Sequence, residues 1–232
     1  MLMASVERDL MTLARSDQRG EAGVSLGHRL DRAAIRVLDI VVASLAILAL
    51  LPFFLLVSAV IYIDNPGRVI FAHRRVGRNA RLFDCYKFRS MVTDADRRLA
   101  DLLANDPVAR GEWARDHKLR NDPRITRLGR FLRKSSIDEL PQLLNVLKGE
   151  MSIVGPRPIV EAEVKRYRRF FADYAAVKPG ITGLWQVSGR NNTSYRRRVA
   201  LDVSYARSKS LGLDLKILAM TIPAVLFARG SY

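Results

Sequence analysis

The sequence is short of cysteine and of acidic residues. Cys85 is the only cysteine among 232 residues, which excludes an intramolecular disulfide and leads us to expect a reduced, cytoplasmic setting. Only 23 acidic residues face 39 basic ones, and the formal net charge is +16. This imbalance indicates a polyanionic partner, which is a nucleic acid, an anionic membrane surface or a phosphorylated substrate. Internal repeats and low-complexity tracts are also lacking.

The overall composition is that of a folded chain. With 49% hydrophobic and 27% charged residues, wholesale disorder is excluded, and the length is enough to bury one substantial core. Residues 1–27 are the exception, because they show no sustained apolar periodicity. We predict that they form a mobile polar tail without catalytic residues.

One segment lacks formal charge altogether. Residues 40–63 are 24 uncharged and mostly apolar residues, about 36 Å as a straight helix, against about 30 Å for the apolar core of a bilayer. A polar stretch precedes this run, so it does not resemble a cleavable signal peptide. The sequence therefore predicts a membrane helix, with a buried helix of a soluble core as the alternative.

The flanks and the middle of this segment bear on its topology. Arginines lie on both sides, so the positive-inside rule selects no side for translocation; they are Arg29, Arg32 and Arg36 before the segment and Arg68, Arg74, Arg75, Arg78 and Arg81 after it. Pro52, near the centre, removes one backbone hydrogen bond and favours a kink. A helix-break-helix that enters one leaflet and returns fits these features, although an ordinary spanning helix also tolerates proline.

The rest of the chain carries patterns typical of a hairpin and several helices. Two β-leaning runs flank the turn at residues 77–79. Thr93-x-x-Asp96 resembles a helix cap, with Leu99, Leu102 and Leu103 on one face of the helix that follows. Residues 107–119 read as a second helix, and residues 121–136 as a basic loop or short helical connector.

The C-terminal third is predicted from periodicity and glycine content. Ile159 to Val177 has helical spacing of residues that we assign to the core, namely Val164, Tyr167, Phe170, Phe171 and Tyr174. Residues 178–192 are rich in glycine, which predicts a loop carrying Trp185 and Arg190. The final apolar stretch, residues 213–227, is too short to span a bilayer but suits a helix lying on a membrane surface.

Two adjacent carboxylates, Asp138 and Glu139, stand out in this basic chain. One explanation is structural, because residues 136–139 match a capping box in which Ser136 and Glu139 bond each other's backbone amides. The helix that follows would begin near residue 140 because of Pro141, with a buried stripe at Leu140, Leu143, Leu144 and Leu147.

The other explanation is catalytic. Arg133 precedes the pair, and Arg157 lies between two prolines that restrict its backbone, an arrangement suited to binding phosphate. An ionised aspartate can attack phosphorus when cations neutralise the electrophile, and Mg²⁺ is the usual cation, held through one or two carboxylates and substrate phosphates. Since neighbouring helical residues diverge by about 100°, Asp138 and Glu139 would have different roles.

Three strings identify the chain as similar to a known family. They are "KFRSM", "NDPRITRLGRFLRKSSIDELPQLLNVLKGEMSIVGPRP" and "KPGITGLWQVSGRN", which resemble the signatures of the bacterial sugar transferases, the monotopic polyprenyl-phosphate hexose-1-phosphate transferases also called small phosphoglycosyl transferases. The similarity runs from about Arg36 to the C-terminus, and strings of this length are specific.

The resemblance implies an architecture. The chain is expected to be an α+β, mostly helical, monotopic membrane protein of the bacterial inner membrane. A re-entrant helix at residues 28–64, broken at Pro52, would precede a cytoplasmic catalytic domain at residues 65–232 with a β-hairpin and interfacial helices. Many family members have serine before the breaking proline, whereas this chain has Leu51, so the bend angle is not implied. Larger relatives carry additional membrane helices, and this chain resembles the catalytic unit alone.

The resemblance also implies a reaction. Hexose-1-phosphate passes from a UDP-hexose, with galactose or glucose as the sugar, to undecaprenyl phosphate with release of UMP, which starts an exopolysaccharide repeat unit. Asp138 matches the nucleophile and Mg²⁺ ligand, and Glu139 matches its dyad partner. Basic positions match residues that hold substrate phosphates; they are Arg133, Arg157, Lys87, Arg89 and Arg190.

Two other functions compete with this one. A membrane-tethered nucleic-acid-binding protein would explain the net charge, but the basic runs also suit anionic membrane lipids, and we expect no nucleic-acid partner. A non-catalytic assembly scaffold would use the two carboxylates only as a helix cap. The sequence leaves a homo-oligomer open.

Overall fold

The computed structural model describes residues 26–116, 119, 121–188 and 193–226, and the N-terminal tail before residue 26 lies outside them. The described chain is mostly helical, as expected, and contains two small sheets, of which only the hairpin was predicted. Its α-helices are α1 Leu26–Asp64, α2 Ala95–Asn105, α3 Pro107–Asp116, α4 Arg127–Lys134, α5 Gln142–Lys148, α6 Glu161–Tyr167, α7 Phe171–Ala175, α8 Leu184–Val187, α9 Tyr195–Ser208 and α10 Leu211–Leu226. Its strands are β1 Ile70–Val76, β2 Leu82–Phe88, β3 Ser152–Val154 and β4 Gly180–Thr182.

The described residues form two compact units. The first unit comprises residues 26–50, 72–86 and 141–226, and the second comprises Leu51–Phe71 and Lys87–Leu140. The first half of α1 therefore belongs to the first unit and its second half to the second.

Helix α1 contains the predicted membrane segment. Leu30–Asp64 is long and apolar enough to cross a membrane, and only 11% of its most apolar stretch is buried by the rest of the protein. A core helix of a soluble protein would be mostly buried, so the structure argues against that alternative. Pro52 lies inside α1, which is helical from Leu26 to Asp64. The re-entrant path of the chain stays a prediction.

Polar groups anchor the first half of α1 within the first unit. Arg36 donates from Nη1 to the Val146 carbonyl (2.6 Å) and from Nη2 to the Leu147 carbonyl (2.9 Å), near the end of α5. The buried Asp39 carboxylate accepts from Ser152 Oγ (2.9 Å) and from the Ile153 amide (2.8 Å) at β3. Basic side chains satisfy the last carbonyls of a helix favourably, so α1 holds α5 and β3 in place.

The second half of α1 packs on an apolar cluster in the second unit. Its buried members are Val57, Ile61, Phe88 and Leu132, with Phe53, Phe54, Val69, Leu128, Ile137 and Leu140 packed around them. This cluster joins the membrane helix, the end of β2, α4 and the turn that carries the two carboxylates.

The predicted hairpin is present, with β1 paired to β2 through a 3-10 turn at Arg78–Ala80. The predicted leucine face of α2 is partly buried. The cap predicted at Thr93 is wrong, because the helix starts after Asp94.

Sequence patterns were less accurate after residue 140. The buried side of α5 consists of Gln142, Leu143, Asn145 and Val146. Leu144 is 46% exposed, so the predicted leucine stripe is wrong there. Asn145 explains the difference, because its side chain accepts from the Tyr86 amide (3.0 Å) and donates to the Asp84 carbonyl (2.7 Å), which turns this polar face inward.

The predicted helix over residues 159–177 is interrupted. Between α6 and α7 a 3-10 turn begins at Arg168, which has φ +50°. The predicted aromatic core is nevertheless confirmed, because Tyr167, Phe171 and Tyr174 are buried in the main cluster of the first unit, and Val164 and Phe170 pack against it. Tyr174 donates to the Val76 carbonyl (2.8 Å) and accepts from the Ile159 amide (3.2 Å).

The predicted loop at residues 178–192 contains regular structure. β4 pairs in parallel with β3, with Ser152 opposite Gly180 and Val154 opposite Thr182, and α8 follows. A Cβ at Gly180 would lie 2.0 Å from the Gly155 amide nitrogen, so glycine here permits strand contact. Trp185 is buried in α8, and Arg190 lies outside the described residues.

A buried carboxyl in α9 predicts an unusual pH dependence of stability. Burial raises the pKa of Asp202 to about 7, and Tyr167 donates to its Oδ2 at 2.7 Å. Because the folded pKa exceeds the unfolded value, this proton stabilises the fold below pH 4, and the contribution is lost as the pH rises towards 7. We expect the unfolding free energy of the wild type to fall relative to Asp202→Asn by about 1 kcal/mol per pH unit between pH 5 and 7. Thermal unfolding of both proteins across that range measures this, and parallel curves would contradict it.

Candidate active site

The two carboxylates sit on a short turn of the second unit. They belong to the 3-10 helix Ile137–Glu139, and Asp138 is buried with 7% of its surface exposed. Ile137 and Leu140, on either side of the pair, pack against the apolar cluster of the second unit. Apolar contacts therefore anchor the turn on both sides of the carboxylate pair.

The capping box predicted at this turn does not form. Ser136 has φ +59°, in the left-handed region, and its side chain makes no cap hydrogen bond. The Glu139 amide bonds the Ser136 backbone carbonyl instead (3.1 Å). Positive φ costs about 1 kcal/mol or more for a residue other than glycine, so this local geometry is held by its surroundings.

Lys87, near the end of β2, binds both carboxylates. Its Nζ lies 2.6 Å from Glu139 Oε1 and 3.8 Å from Asp138 Oδ2. All three side chains are at most 19% exposed. A shared ammonium reduces the repulsion between adjacent carboxylates. Lys87 therefore allows Asp138 and Glu139 to lie side by side. Lys87 Nζ is closer to Glu139 than to Asp138, and different roles for the two carboxylates stay a prediction.

Arg133 in α4 adds a second positive charge near Asp138. Its Nε donates to Ser90 Oγ at 2.8 Å. Although the residue as a whole is exposed, desolvation lowers the pKa of Arg133, and the charges of Asp138 and Asp122 oppose that shift. The guanidinium therefore lies within electrostatic reach of the buried carboxylate.

Arg89 is placed differently from Lys87 and Arg133. Its Nη2 donates to the carbonyls of Ile61 (3.4 Å) and Asn65, at the end of α1. These contacts are those of a helix-capping cation. A role for Arg89 in substrate binding stays a prediction.

Arg157 belongs to the first unit and is held on a rigid turn. Pro156 and Pro158 on its two sides are buried; the Pro156 carbonyl accepts from the Gly180 amide (2.8 Å), and the Pro158 carbonyl from Arg75 Nη1 (3.4 Å). Desolvation lowers the pKa of Arg75, and the charge of Arg157 lowers it further. Arg75 also lies 4.0 Å from the Glu163 carboxylate through Nη1, and a role for Arg157 in phosphate binding stays a prediction.

The residues of the turn fit a magnesium ion that is completed by substrate. Within the described ranges, no group of three or more histidine, cysteine, aspartate or glutamate side chains could hold a metal by itself. Mg²⁺ commonly binds through one or two carboxylates together with substrate phosphates. Asp138 and Glu139 are adjacent carboxylates of this kind, so they fit such an ion.

Sequence reasoning missed three polar residues around Arg133. Ser90 accepts its hydrogen bond, and Asp122 is paired with Arg124 through Nε (2.8 Å) and Nη2 (2.7 Å). Ser90 is the fourth residue of the string "KFRSM", and Asp122 and Arg124 lie in "NDPRIT", the opening of the long string. Their place inside these motifs was the signal that could have found them.

Comparison with known proteins bears on the same motifs. The family model described as bacterial sugar transferase matches residues 30–228. This range includes all three strings quoted above, and the resemblance drawn from them is confirmed.

Several curated relatives align over most of the chain. Exopolysaccharide production protein ExoY of Sinorhizobium fredii is 49% identical over 197 residues, covering 85% of this chain and 87% of that protein. Undecaprenyl-phosphate galactose phosphotransferase of Salmonella typhimurium is 50% identical over 208 residues, covering 90% of this chain and 44% of that protein. UDP-glucose:undecaprenyl-phosphate glucose-1-phosphate transferase of Caulobacter vibrioides is 39% identical over 218 residues, covering 89% and 76%. The chain thus spans most of ExoY and less than half of the Salmonella enzyme.

Proposed function

We propose, since the chain belongs to the bacterial sugar transferase family, that it transfers hexose-1-phosphate from a UDP-sugar to undecaprenyl phosphate and releases UMP. The names of relatives that act on undecaprenyl phosphate support the substrates, and the name of ExoY supports a role in exopolysaccharide production, in which we assign to this chain the start of the repeat unit. The observation that carries the proposal is the pairing of both carboxylates with Lys87. In a capping box the Glu139 carboxylate would instead accept from a backbone amide.

In the first half-reaction Asp138 is the nucleophile. One oxygen of its carboxylate attacks the β-phosphorus of the UDP-sugar, a new P–O bond forms, and the bond from that phosphorus to the bridging oxygen breaks. The electron pair leaves with UMP, and the hexose-phosphate remains on Asp138 as an acyl phosphate. Lys87 and Arg133 supply the positive charge that such an attack by an anion on an anion requires.

In the second half-reaction the lipid phosphate takes the sugar phosphate from Asp138. An oxygen of undecaprenyl phosphate attacks the same phosphorus, and the carboxylate of Asp138 leaves. The Lys87 ammonium lies 2.6 Å from the Glu139 carboxylate. We propose that these two side chains together orient the incoming lipid phosphate. Arg157 and Arg89 stay candidates for substrate phosphate binding.

A magnesium ion fits this site through Asp138 and Glu139. When bound, it would neutralise charge on the substrate phosphates beside Asp138.

The test of the function is release of UMP from a panel of UDP-sugars. Purified full-length protein in detergent is incubated with undecaprenyl phosphate and Mg²⁺, with UDP-galactose and UDP-glucose as the first donors. We expect UMP and a lipid-linked sugar diphosphate from at least one of them. Lack of UMP from every donor, in a protein with a cooperative unfolding transition, would contradict the proposal.

We also propose that α1 enters and leaves the membrane on the cytoplasmic side of the inner membrane. Pro52 removes a hydrogen bond in the interior of α1, and the division between the two compact units falls just before it, after Leu50. Each half of α1 therefore has its own packing partners. The basic residues at both ends favour the cytoplasmic side.

This topology predicts the labelling of both ends of α1. In a Cys85→Ser background we expect Arg29→Cys and Arg68→Cys to react with a membrane-impermeant thiol reagent only after the inner membrane is opened. A spanning helix instead places one end in the periplasm. Labelling of either cysteine in intact spheroplasts would therefore contradict the re-entrant path.

A further inference from the structure

Ser90 is fixed in the second unit by its own backbone. Its carbonyl accepts from the Thr126 amide (3.2 Å), and the Val92 amide donates to the Arg124 carbonyl (2.9 Å). Met91 forms an antiparallel bridge with Ile125 between these bonds. Ser90 as a residue is 8% exposed, so its hydroxyl has a defined position largely shielded from water.

Helix α4 begins directly against Ser90. Thr126 caps the helix, with Oγ1 accepting from the Gly129 amide at 2.9 Å. A Cβ on Gly129 would lie only 1.9 Å from the Ser90 carbonyl oxygen. Arg133 is four residues after Gly129 and so lies on the same face of the helix, which brings its guanidinium over Ser90.

The contact between Arg133 and Ser90 uses a particular nitrogen. Nε donates to Ser90 Oγ at 2.8 Å, which fixes the plane of the guanidinium while leaving its two Nη groups, the edge used for bidentate phosphate binding, outside this bond. The charged groups that act on Arg133 are Asp138 and Asp122, which attract it, and Arg124, which repels it. Asp122 is already paired with Arg124. Asp138 is therefore the other carboxylate that attracts Arg133, and we place the bound phosphate beside it.

We infer that Ser90 is a positioning residue, whose hydroxyl holds the Arg133 guanidinium for a phosphate group of the nucleotide substrate beside Asp138. This inference rests on the proposed function for the identity of the substrate. Ser90 itself touches no reacting atom in this assignment, and its effect is carried by Arg133 alone.

A double-mutant cycle on Ser90 and Arg133 tests this inference. The readouts are the dissociation constant of UDP, measured by calorimetry without turnover, and the KM for the UDP-sugar in UMP release. We expect Ser90→Ala to weaken UDP binding and to raise KM about tenfold, with a smaller change in kcat. In an Arg133→Ala background the same change should have no further effect, because the group that Ser90 positions is gone.

The controls separate positioning from folding. Ser208→Ala also removes a hydroxyl bonded to a helix carbonyl (2.7 Å), but far along the chain in α9, and should leave both readouts unchanged. Ser90→Thr keeps the hydroxyl and should restore part of the UDP affinity lost in Ser90→Ala. Equal losses from Ser90→Ala in both backgrounds, or no loss in either, would overturn the inference.

The cycle also distinguishes this inference from the proposed function. If the wild type binds UDP and the cycle behaves as expected, but no UDP-sugar yields UMP, the proposed function fails and the assignment of Ser90 stands. A wild type that does not bind UDP overturns the assignment, since Arg133 then holds no nucleotide phosphate.

Discussion

Asp138→Asn is expected to abolish UMP release from the UDP-sugar, even when no lipid acceptor is present. We expect the rate to fall at least about a thousandfold, as is typical for removal of a nucleophile, because an amide has no anionic oxygen to attack phosphorus. The fold should survive, since Glu139 retains its 2.6 Å contact with Lys87 and Ile137 and Leu140 still anchor the turn. The measurement is UMP formed per enzyme with the donor alone and with donor plus acceptor.

The matched control removes a different carboxylate from the same protein. Asp173→Asn weakens the paired contacts with Arg207 (2.7 and 3.0 Å) at the exposed surface, and exposed pairs contribute about 1 kcal/mol or less. Its UMP release should match the wild type. Both variants should sediment with membranes and unfold at similar temperatures. Wild-type turnover by Asp138→Asn would remove Asp138 as the nucleophile.

The covalent step has a direct signature. Wild-type enzyme incubated with UDP-sugar alone should gain the mass of one hexose-phosphate, located on the peptide that contains Asp138, and the variant should not. Transfer that requires both substrates on the enzyme together, without any captured adduct, would contradict a covalent intermediate.

Local pattern predicted those parts of the structure that depend on neighbouring residues. The β-leaning runs on both sides of residues 77–79 predicted the hairpin, and the spacing of Tyr167, Phe171 and Tyr174 predicted a buried aromatic face. An uncharged run of 24 residues gave the exposed apolar helix α1. The aromatic face follows from helical periodicity, and the exposed helix from the length of the apolar run.

The errors occur where contacts distant in sequence decide the conformation. The capping box at residues 136–139 satisfies a local rule, but Lys87, some fifty positions earlier, binds Glu139 and Ser136 adopts a left-handed conformation. Leu144 was predicted to be buried as part of a leucine stripe, yet the Asn145 amide pairs with the β2 backbone and places Asn145 on the buried face. The glycines that suggested a loop at residues 178–192 instead let β4 approach Gly155.

The candidate site shows the same division. Asp138, Glu139 and Lys87 were all selected from sequence, and the structure brings them together. The motif strings selected Arg89 as a site residue but did not predict its position. Its described contacts are with the end of α1. Sequence spacing alone does not distinguish residues that contact the carboxylates, such as Lys87, from residues that contact the end of a helix, such as Arg89.

Gly129→Ala is expected to destabilise the second unit strongly. A Cβ at this position would lie 1.9, 2.6 and 2.8 Å from the carbonyl oxygen, carbonyl carbon and Cα of Ser90. These are backbone atoms held by the bridge between Met91 and Ile125, so they cannot turn aside as a side chain would. Overpacking usually costs about 1–3 kcal/mol, and the closeness of three backbone atoms puts this case at about 3 kcal/mol or above, or a fall of about 10 °C in Tm.

The comparison that isolates this clash is Gly111→Ala in α3. A Cβ there meets no atom within 4 Å, and alanine is a better helix former than glycine by about 0.5–1 kcal/mol, so its Tm should stay level or rise. Thermal unfolding of both variants in the same detergent gives the two shifts in Tm.

Gly129→Ala should also lower activity. Helix α4 must move away from Ser90 to admit the methyl group, and Arg133 moves with it. We therefore expect UMP release by Gly129→Ala to fall about tenfold even below its lowered Tm. A Gly129→Ala protein that is as stable as Gly111→Ala would show that α4 does not pack on Ser90 as closely as described.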